Sequence, residues 1–363
     1  MSGRRNAEAS RSGRPHERKA GKLTRTSLDY LLQGLIEGKQ GAASRLISVL
    51  ERGNDSEADR IMETAYPRTG TSWVVGVTGP PGVGKSSLIN ALIHQARRED
   101  YSVGAVLVDP TSPVSGGAVL GDRIRMSSFS ADTKVFVRSM GTRGSLGGLS
   151  KATVGAVRIM DCLEKDFIFV ETVGTGQIEI AVCDVADTVA LVTMPGAGDV
   201  IQSLKAGIEE VNDIFVVNKA DRPGVEETIL NLEQMLELRA ANPDRDFEWR
   251  EPICPTVSVT GGGVPRLWEA IKEHRRVSGD SAFRARRKKE LAQKETIEII
   301  LRKLENFFRR EVEERVGLHE IIDEIALKRK SPQRASEEVF AKISRSKRSL
   351  TELAEGGERD GDD

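Results

Sequence analysis

The chain has 363 residues, 38% of them hydrophobic and 30% charged, with a formal net charge of −1. That balance describes a soluble, foldable chain with room for more than one domain, and it offers no general footing for nucleic acid. Its three cysteines, Cys162, Cys183 and Cys254, are odd in number and widely spaced. They exclude a disulfide framework and paired-cysteine metal sites, which fits a reducing, cytoplasmic setting. The longest apolar runs, such as TVALVTM at 188–194, are too short to cross a bilayer as a helix.

Residues 1–25 are basic and nearly free of large apolar side chains. A secretory signal would need an apolar core, and a mitochondrial transit peptide an amphipathic face, so the expectation is a disordered tail. Residues 26–70 form an N-terminal helical segment. Apolar spacing over 27–50 predicts two helices with breaks near Gly38 and Gly41, and a third is expected from about Glu57 to Ala65. Pro67 and the RTGTS that follows mark a boundary.

Over 71–275 the pattern changes to short β-branched runs separated by helical stretches: WVVGVTG, VGAVLVD, VFVRSM, FIFVE, TVALVTM, DIFVVN and ICPTVSV. Runs without alternation are buried on both faces, and the intervening helices act as crossovers. The expected fold class is therefore α/β, a mostly parallel sheet flanked by helices, with helical extensions at both ends. Residues 276–355 are charged and helical again, and 356–363 are acidic and glycine-rich, expected to be disordered. The basic run RARRKK at 284–289 is followed at once by acidic residues and has no interleaved aromatics, so it reads as a solvated helix face.

Chemistry concentrates at the ends of the strands. GPPGVGKS, Gly79 to Ser86, matches G-x-x-x-x-G-K-[ST] between a strand and a helix, the context that a phosphate-binding loop requires. Gly79, Gly82 and Gly84 let the backbone curl around Val83 so that N–H groups point at phosphate oxygens, aided by the positive end of the next helix. Lys85 supplies a cation to the β- and γ-phosphates, the Ser86 hydroxyl is a Mg²⁺ ligand, and Ser87 reaches toward the α-phosphate. The chain is therefore read as binding a nucleoside triphosphate. Downstream, Asn218-Lys219-Ala220-Asp221 ends another buried strand and resembles the guanine-specificity motif of GTP-binding proteins. Asp221 can accept from guanine N1–H and its exocyclic amine, a donor pair that adenine lacks. Lys219 can lie along the purine face and Asn218 can brace the loop. Ser258 and Val259, in VSVTGGG, look like the second base-contacting loop, with valine where alanine is usual.

The strand FIFVE ends on Glu171, where a charge is costly unless something meets it. Asp109 ends the strand VGAVLVD, and Asp122 follows in the same segment. Mg²⁺ prefers oxygen ligands and keeps several waters, so Ser86, Asp109, Asp122 and Glu171 form the candidate metal set, bound directly or through water. Helix capping by Asp109 and Asp122 is the alternative, which Pro110 and Gly121 permit.

Six stretches in order, GPPGVGKSS, VLVDPTSPVSGGAVLGDRIRM, FVRSMGTRGSLGGLS, ETVGTGQIE, MPGAGDVIQSLKAGI and NKAD, resemble the G-protein chaperones of adenosylcobalamin-dependent acyl-CoA mutases, the MeaB/MMAA type (ArgK family). The resemblance covers about residues 27–275 and more loosely the C-terminal helices. It implies a P-loop GTPase, slow alone and stimulated by its partner, that couples GTP turnover to adenosylcobalamin loading and protection of a mutase such as methylmalonyl-CoA mutase. Adenosylcobalamin then stays on the partner, in keeping with the lack of a D-x-H-x-x-G motif. It also implies a homodimer formed through the 276–355 extension. By matching position, Arg125 falls in a first switch, and Asp199 and Lys205 fall in a third. Lys205 is expected to reach the nucleotide when the mutase is bound. Gln177, just past the second switch, either orients the attacking water or is a solvated surface residue. Neither a nucleic acid nor a membrane partner is expected. A metal-delivery GTPase would need a metal-handling site that four scattered histidines do not suggest, and a transport-associated kinase would need ATP.

Overall fold

The computed structural model describes residues 25–109, 129, 131–141, 150–172, 182–196, 212–240, 249–279, 282–315 and 318–345. These fall into two compact units that divide between Gly279 and Asp280. No helix among the described residues is long and apolar enough to cross a membrane.

The first unit is built on seven strands: β1 (Trp73–Thr78), β2 (Val103–Asp109), β3 (Val135–Gly141), β4 (Phe167–Glu171), β5 (Thr188–Thr193), β6 (Ile214–Asn218) and β7 (Ile253–Thr256). They form one sheet in the order β3-β2-β4-β1-β5-β6-β7. Every pairing within it is parallel, so all the carboxyl ends lie along one edge. Each apolar run read from the sequence is one of these strands, and β1, β4, β5 and β6 are buried along their whole length. The run ICPTVSV is a strand only as far as Thr256, because Val257 turns to bridge Gly262.

Helices cover both faces, as parallel connections require. On one face lie α4 (Lys85–Arg98) and, after α5 (Lys151–Cys162) and α6 (Val225–Ala240), α7 (Val264–Ser278). Leu88, Leu92, Leu267 and Trp268 from α4 and α7 pack there against Val75, Val77, Phe169 and Val192. On the other face α6 packs Leu232 against Phe215 and Val217, while α5 shares a larger core with α1 (Arg25–Ile36), α2 (Gln40–Arg52) and α3 (Asp55–Ala65). Leu35, Leu46, Ile47 and Ile61 are fully buried in that core beside Val106, Ile168 and Val170 of the sheet. The N-terminal helices are thus a layer of the sheet domain. Gly155 on α5 marks how closely they approach, since a Cβ there would lie 2.6 Å from Leu50 Cδ1. Arg138 on the edge strand adds polar ties to Ser44, Ser48 and Glu51 of α2.

Local signals explain the boundaries. Gly38, at φ +74°, separates α1 from α2, whereas Gly41 lies inside α2 and breaks nothing. The third helix starts two residues before the expected Glu57, because the Asn54 side chain accepts from Ser56 N and Glu57 N and caps it. Entry to β1 is fixed by Asp161 of α5, whose carboxylate accepts from the backbone N–H groups of Gly70, Thr71 and Ser72.

The second unit contains α8 (Ala282–Arg315), α9 (Leu318–Ala326) and α10 (Pro332–Arg345). Ile321 and Ala335 form its small apolar centre with Phe308, Ile325 and Val339. Lys330 holds it at the surface by pairing with Glu324 at 2.8 Å and Glu338 at 2.7 Å. The tails at 1–24 and 346–363 lie outside the described residues.

Candidate functional site

The parallel sheet sets the place of the site, because ligands of such folds bind beyond the carboxyl ends of the strands. At the end of β1 the chain leaves the sheet at Gly79 with φ +134°, where a Cβ would lie 2.1 Å from the carbonyl oxygen of Val192 on β5. Only glycine fits so close to a neighbouring backbone. The loop turns back through Gly82 and Gly84 and enters α4 at Lys85. Gly84, at φ +98°, leaves no room either: a Cβ there would meet Asn218 Nδ2 at 2.5 Å. Lys85 is buried, and its ammonium donates to the carbonyls of Gly79 at 2.6 Å and Pro80 at 3.0 Å, inside the curl of the loop. Ser86 and Ser87 follow on the first turn of α4, both half-buried.

Glu171 is the last residue of β4, in register with Val77 of β1 and Leu107 of β2. It is 8% exposed and accepts a hydrogen bond from Ser86 Oγ at 2.8 Å. The carboxylate at the mouth of the strand therefore faces the start of α4, and the hydroxyl and carboxylate oxygens meeting there are the hard donors that suit Mg²⁺.

The third part of the site comes from β6 and β7. Asn218, 1% exposed, donates from Nδ2 to the carbonyl of Val83 at 2.7 Å. Its Oδ1 accepts from Thr256 Oγ1 at 3.2 Å and from Ser258 N at 3.1 Å. One amide thus joins the phosphate-loop sequence, the end of β6 and the loop after β7. Lys219 takes a left-handed backbone, φ +58°, unusual outside glycine and a mark of local strain. Its ammonium donates to Gly82 O at 2.6 Å and lies 3.5 Å from Met194 Sδ. Asp221 is exposed at the edge of the same loop, and Val259 is 88% exposed.

The structure therefore gathers Gly79, Gly82, Val83, Gly84, Lys85, Ser86, Glu171, Asn218, Lys219 and Ser258 at one edge. Asp109 is described only as the last residue of β2, opposite Gly141. Asp122, Arg125, Gln177, Asp199 and Lys205 lie outside the described residues. Sequence reading missed the hydroxyl of Thr256, which fixes the orientation of the Asn218 amide. It also missed a buried hydroxyl pair, Thr172 Oγ1 to Thr78 Oγ1 at 3.1 Å. Threonines at strand ends carry no pattern that would single them out.

A parallel sheet whose first strand runs through a glycine loop into a helix, with a neighbouring strand-end carboxylate on the serine of that helix, defines a P-loop nucleoside triphosphatase. Residues 43–313 match the family described as methylmalonyl Co-A mutase-associated GTPase MeaB. The chain belongs to that family. It is 50% identical over 273 residues to a Pyrococcus horikoshii protein provisionally named a GTPase, covering 75% of this chain and 86% of that one. Over 260 residues it is 30% identical to the methylmalonic aciduria type A homolog, mitochondrial, of Mus musculus, covering 68% of this chain and 62% of that one. Among solved structures, one described as LAO/AO transport system kinase aligns with a TM-score of 0.61 at 20% identity, covering 89% of this chain and all of that one, a likeness of fold.

Proposed function

We propose that the chain is a GTPase chaperone that couples GTP binding and hydrolysis to adenosylcobalamin loading and protection of an acyl-CoA mutase such as methylmalonyl-CoA mutase. Membership of a family described by its association with that mutase supports the client class. The observation that carries the nucleotide reading is the Asn218 brace, which ties the guanine-motif loop to the phosphate-loop sequence through Val83 O. A loop so held supports the reading in which Asp221 takes the two donors of guanine, Lys219 flanks the purine and Ser258 and Val259 close the other side.

The reaction is GTP + H₂O → GDP + phosphate, in which positioning and charge neutralisation do most of the work. Backbone N–H groups from Gly79 to Gly84 and the ammonium of Lys85 receive the phosphates, with Ser87 on the α-phosphate side. Ser86 and Glu171 would hold Mg²⁺, with Asp109 and Asp122 joining directly or through water. The bound ion would supply positive charge to the β- and γ-phosphate oxygens. Gln177 is assigned to the attacking water. Arg125, Asp199 and Lys205 are assigned to segments ordered by the γ-phosphate, through which a partner senses the nucleotide. The 276–355 extension is assigned to a homodimer interface, and the chain to the cytoplasm.

The test is GTP hydrolysis at fixed Mg²⁺ with and without a panel of adenosylcobalamin-dependent acyl-CoA mutases. Stimulation by one mutase, lost in Lys205→Ala, is the expected result. A flat rate with every mutase would refute the chaperone reading and leave a GTPase with another partner.

A further inference from the structure

Glu171 can face Ser86 only if β4 keeps its pleat to the very end. Side chains alternate along an extended chain, so Glu171, which closes β4, and the residue after it must point to opposite faces. Phe169 packs on the α4 face and Val170 on the α5 face. Glu171 continues the first set and meets Ser86, which leaves Thr172 to the second. There its hydroxyl donates to Thr78 Oγ1 at 3.1 Å, between two side chains that are both fully buried. Its amide donates to Val77 O at 3.3 Å, carrying the ladder one residue past the strand. Thr78 precedes Gly79, which is itself pressed against Val192 O.

We propose that Thr172 and Thr78 are positioning residues for the metal-facing carboxylate: their hydroxyl bond on the back of the sheet keeps Glu171 turned toward Ser86 on the front. The inference rests on the reading of Ser86 and Glu171 as the Mg²⁺ site. Without the hydroxyl pair the end of β4 is held to β1 by the Thr172 N–H···O Val77 bond alone, and the carboxylate is held less firmly for the cation. Binding of a nucleotide without metal draws on the phosphate loop and the Asn218 loop; Thr78 adjoins the first of these through Gly79, so Thr172→Val is the variant in which metal-free affinity is read.

The experiment measures the affinity of fluorescent GDP and of a non-hydrolysable GTP analogue, from excess chelator to millimolar Mg²⁺, alongside thermal unfolding. In Thr172→Val the Mg²⁺ needed for half-maximal tightening rises about fivefold, the worth of one net hydrogen bond, while metal-free GDP affinity is kept. Thr78→Val reads the same bond from the other strand, so a folding failure in one variant leaves the other to decide. The double variant is no worse than either single one, and Thr172→Ser restores the wild-type requirement. An unchanged Mg²⁺ requirement in folded variants overturns the proposal, as does an equal loss of metal-free and metal-bound affinity. A wild-type protein whose nucleotide affinity ignores Mg²⁺ would overturn the metal-site reading itself, and this inference with it.

Discussion

Replacing Asn218 by alanine tests the brace directly. The change removes the donor to Val83 O and the acceptor for Thr256 Oγ1 and Ser258 N, at a position 1% exposed. Three polar groups lose their partner at once. A buried group left unsatisfied costs about 1 kcal/mol or more, so the unliganded protein should lose roughly 3 kcal/mol. All three tryptophans, Trp73, Trp249 and Trp268, lie in the sheet unit, so their fluorescence reports its unfolding in urea. At a slope of about 3 kcal/mol per molar the midpoint falls by about 1 M. GDP affinity should drop further than stability explains, because the two loops are no longer fixed to each other. A midpoint shift below about 0.3 M, or a stability loss with full GDP affinity, would refute the brace as the organiser of the site.

Gly155→Ala pushes a methyl group to within 2.6 Å of Leu50 Cδ1, and such overpacking costs about 1–3 kcal/mol. Calorimetry of the variant should show one lowered transition for the sheet unit, and an unshifted midpoint would contradict the close approach of the helices. The Asp132 carboxyl is held below its ordinary value chiefly by the Arg97 hydrogen bond at 2.8 Å, against a partial burial that acts the other way. A depressed folded value contributes stability above the unfolded pKa of about 3.9 and loses it as pH falls through the lower folded one. The stability gap between wild type and Asp132→Asn should therefore be constant above about pH 5 and close on acidification; a gap that persists at low pH would refute the assignment. Burial pushes the Cys254 thiol up to about 11, so iodoacetamide at neutral pH should label it only in denaturant. Native-state labelling at the rate of a free thiol would show that β7 is open.

The sheet was legible because burial on both faces writes itself as uninterrupted β-branched runs, and because parallel strands need the helical stretches between them. The same spacing predicted a mostly parallel sheet, and in the structure every pairing is parallel. The N-terminal helices were legible as helices, but the periodicity of Leu28–Leu50 says only that one face is buried. That the face lies against α5 and the sheet depends on Gly155 and Arg138, both far along the chain from the α2 residues they touch. The same asymmetry holds at the site. The phosphate loop is a local motif, because its glycines are needed within one turn of chain. The partners that hold it are set by register: Asn218 stands beside Thr256 on the next strand, and Thr172 beside Thr78 on another. Glu171 lay between the two kinds of signal. Its cost at a buried strand end was readable, and the serine that meets it was supplied by the neighbouring motif.

The shared core of α1–α3 with the sheet has a practical consequence for anyone dividing this chain. Pro67 looks like a natural cutting point, yet severing there would open the core that α1–α3 share with α5 and the sheet, and would uncover the side of α5 at Gly155 that Leu50 and Met62 cover. A nucleotide module excised from residue 71 onward would inherit a greasy flank and aggregate. A chimera that swaps nucleotide specificity or client preference between relatives must carry the helices from Arg25 onward as part of the graft.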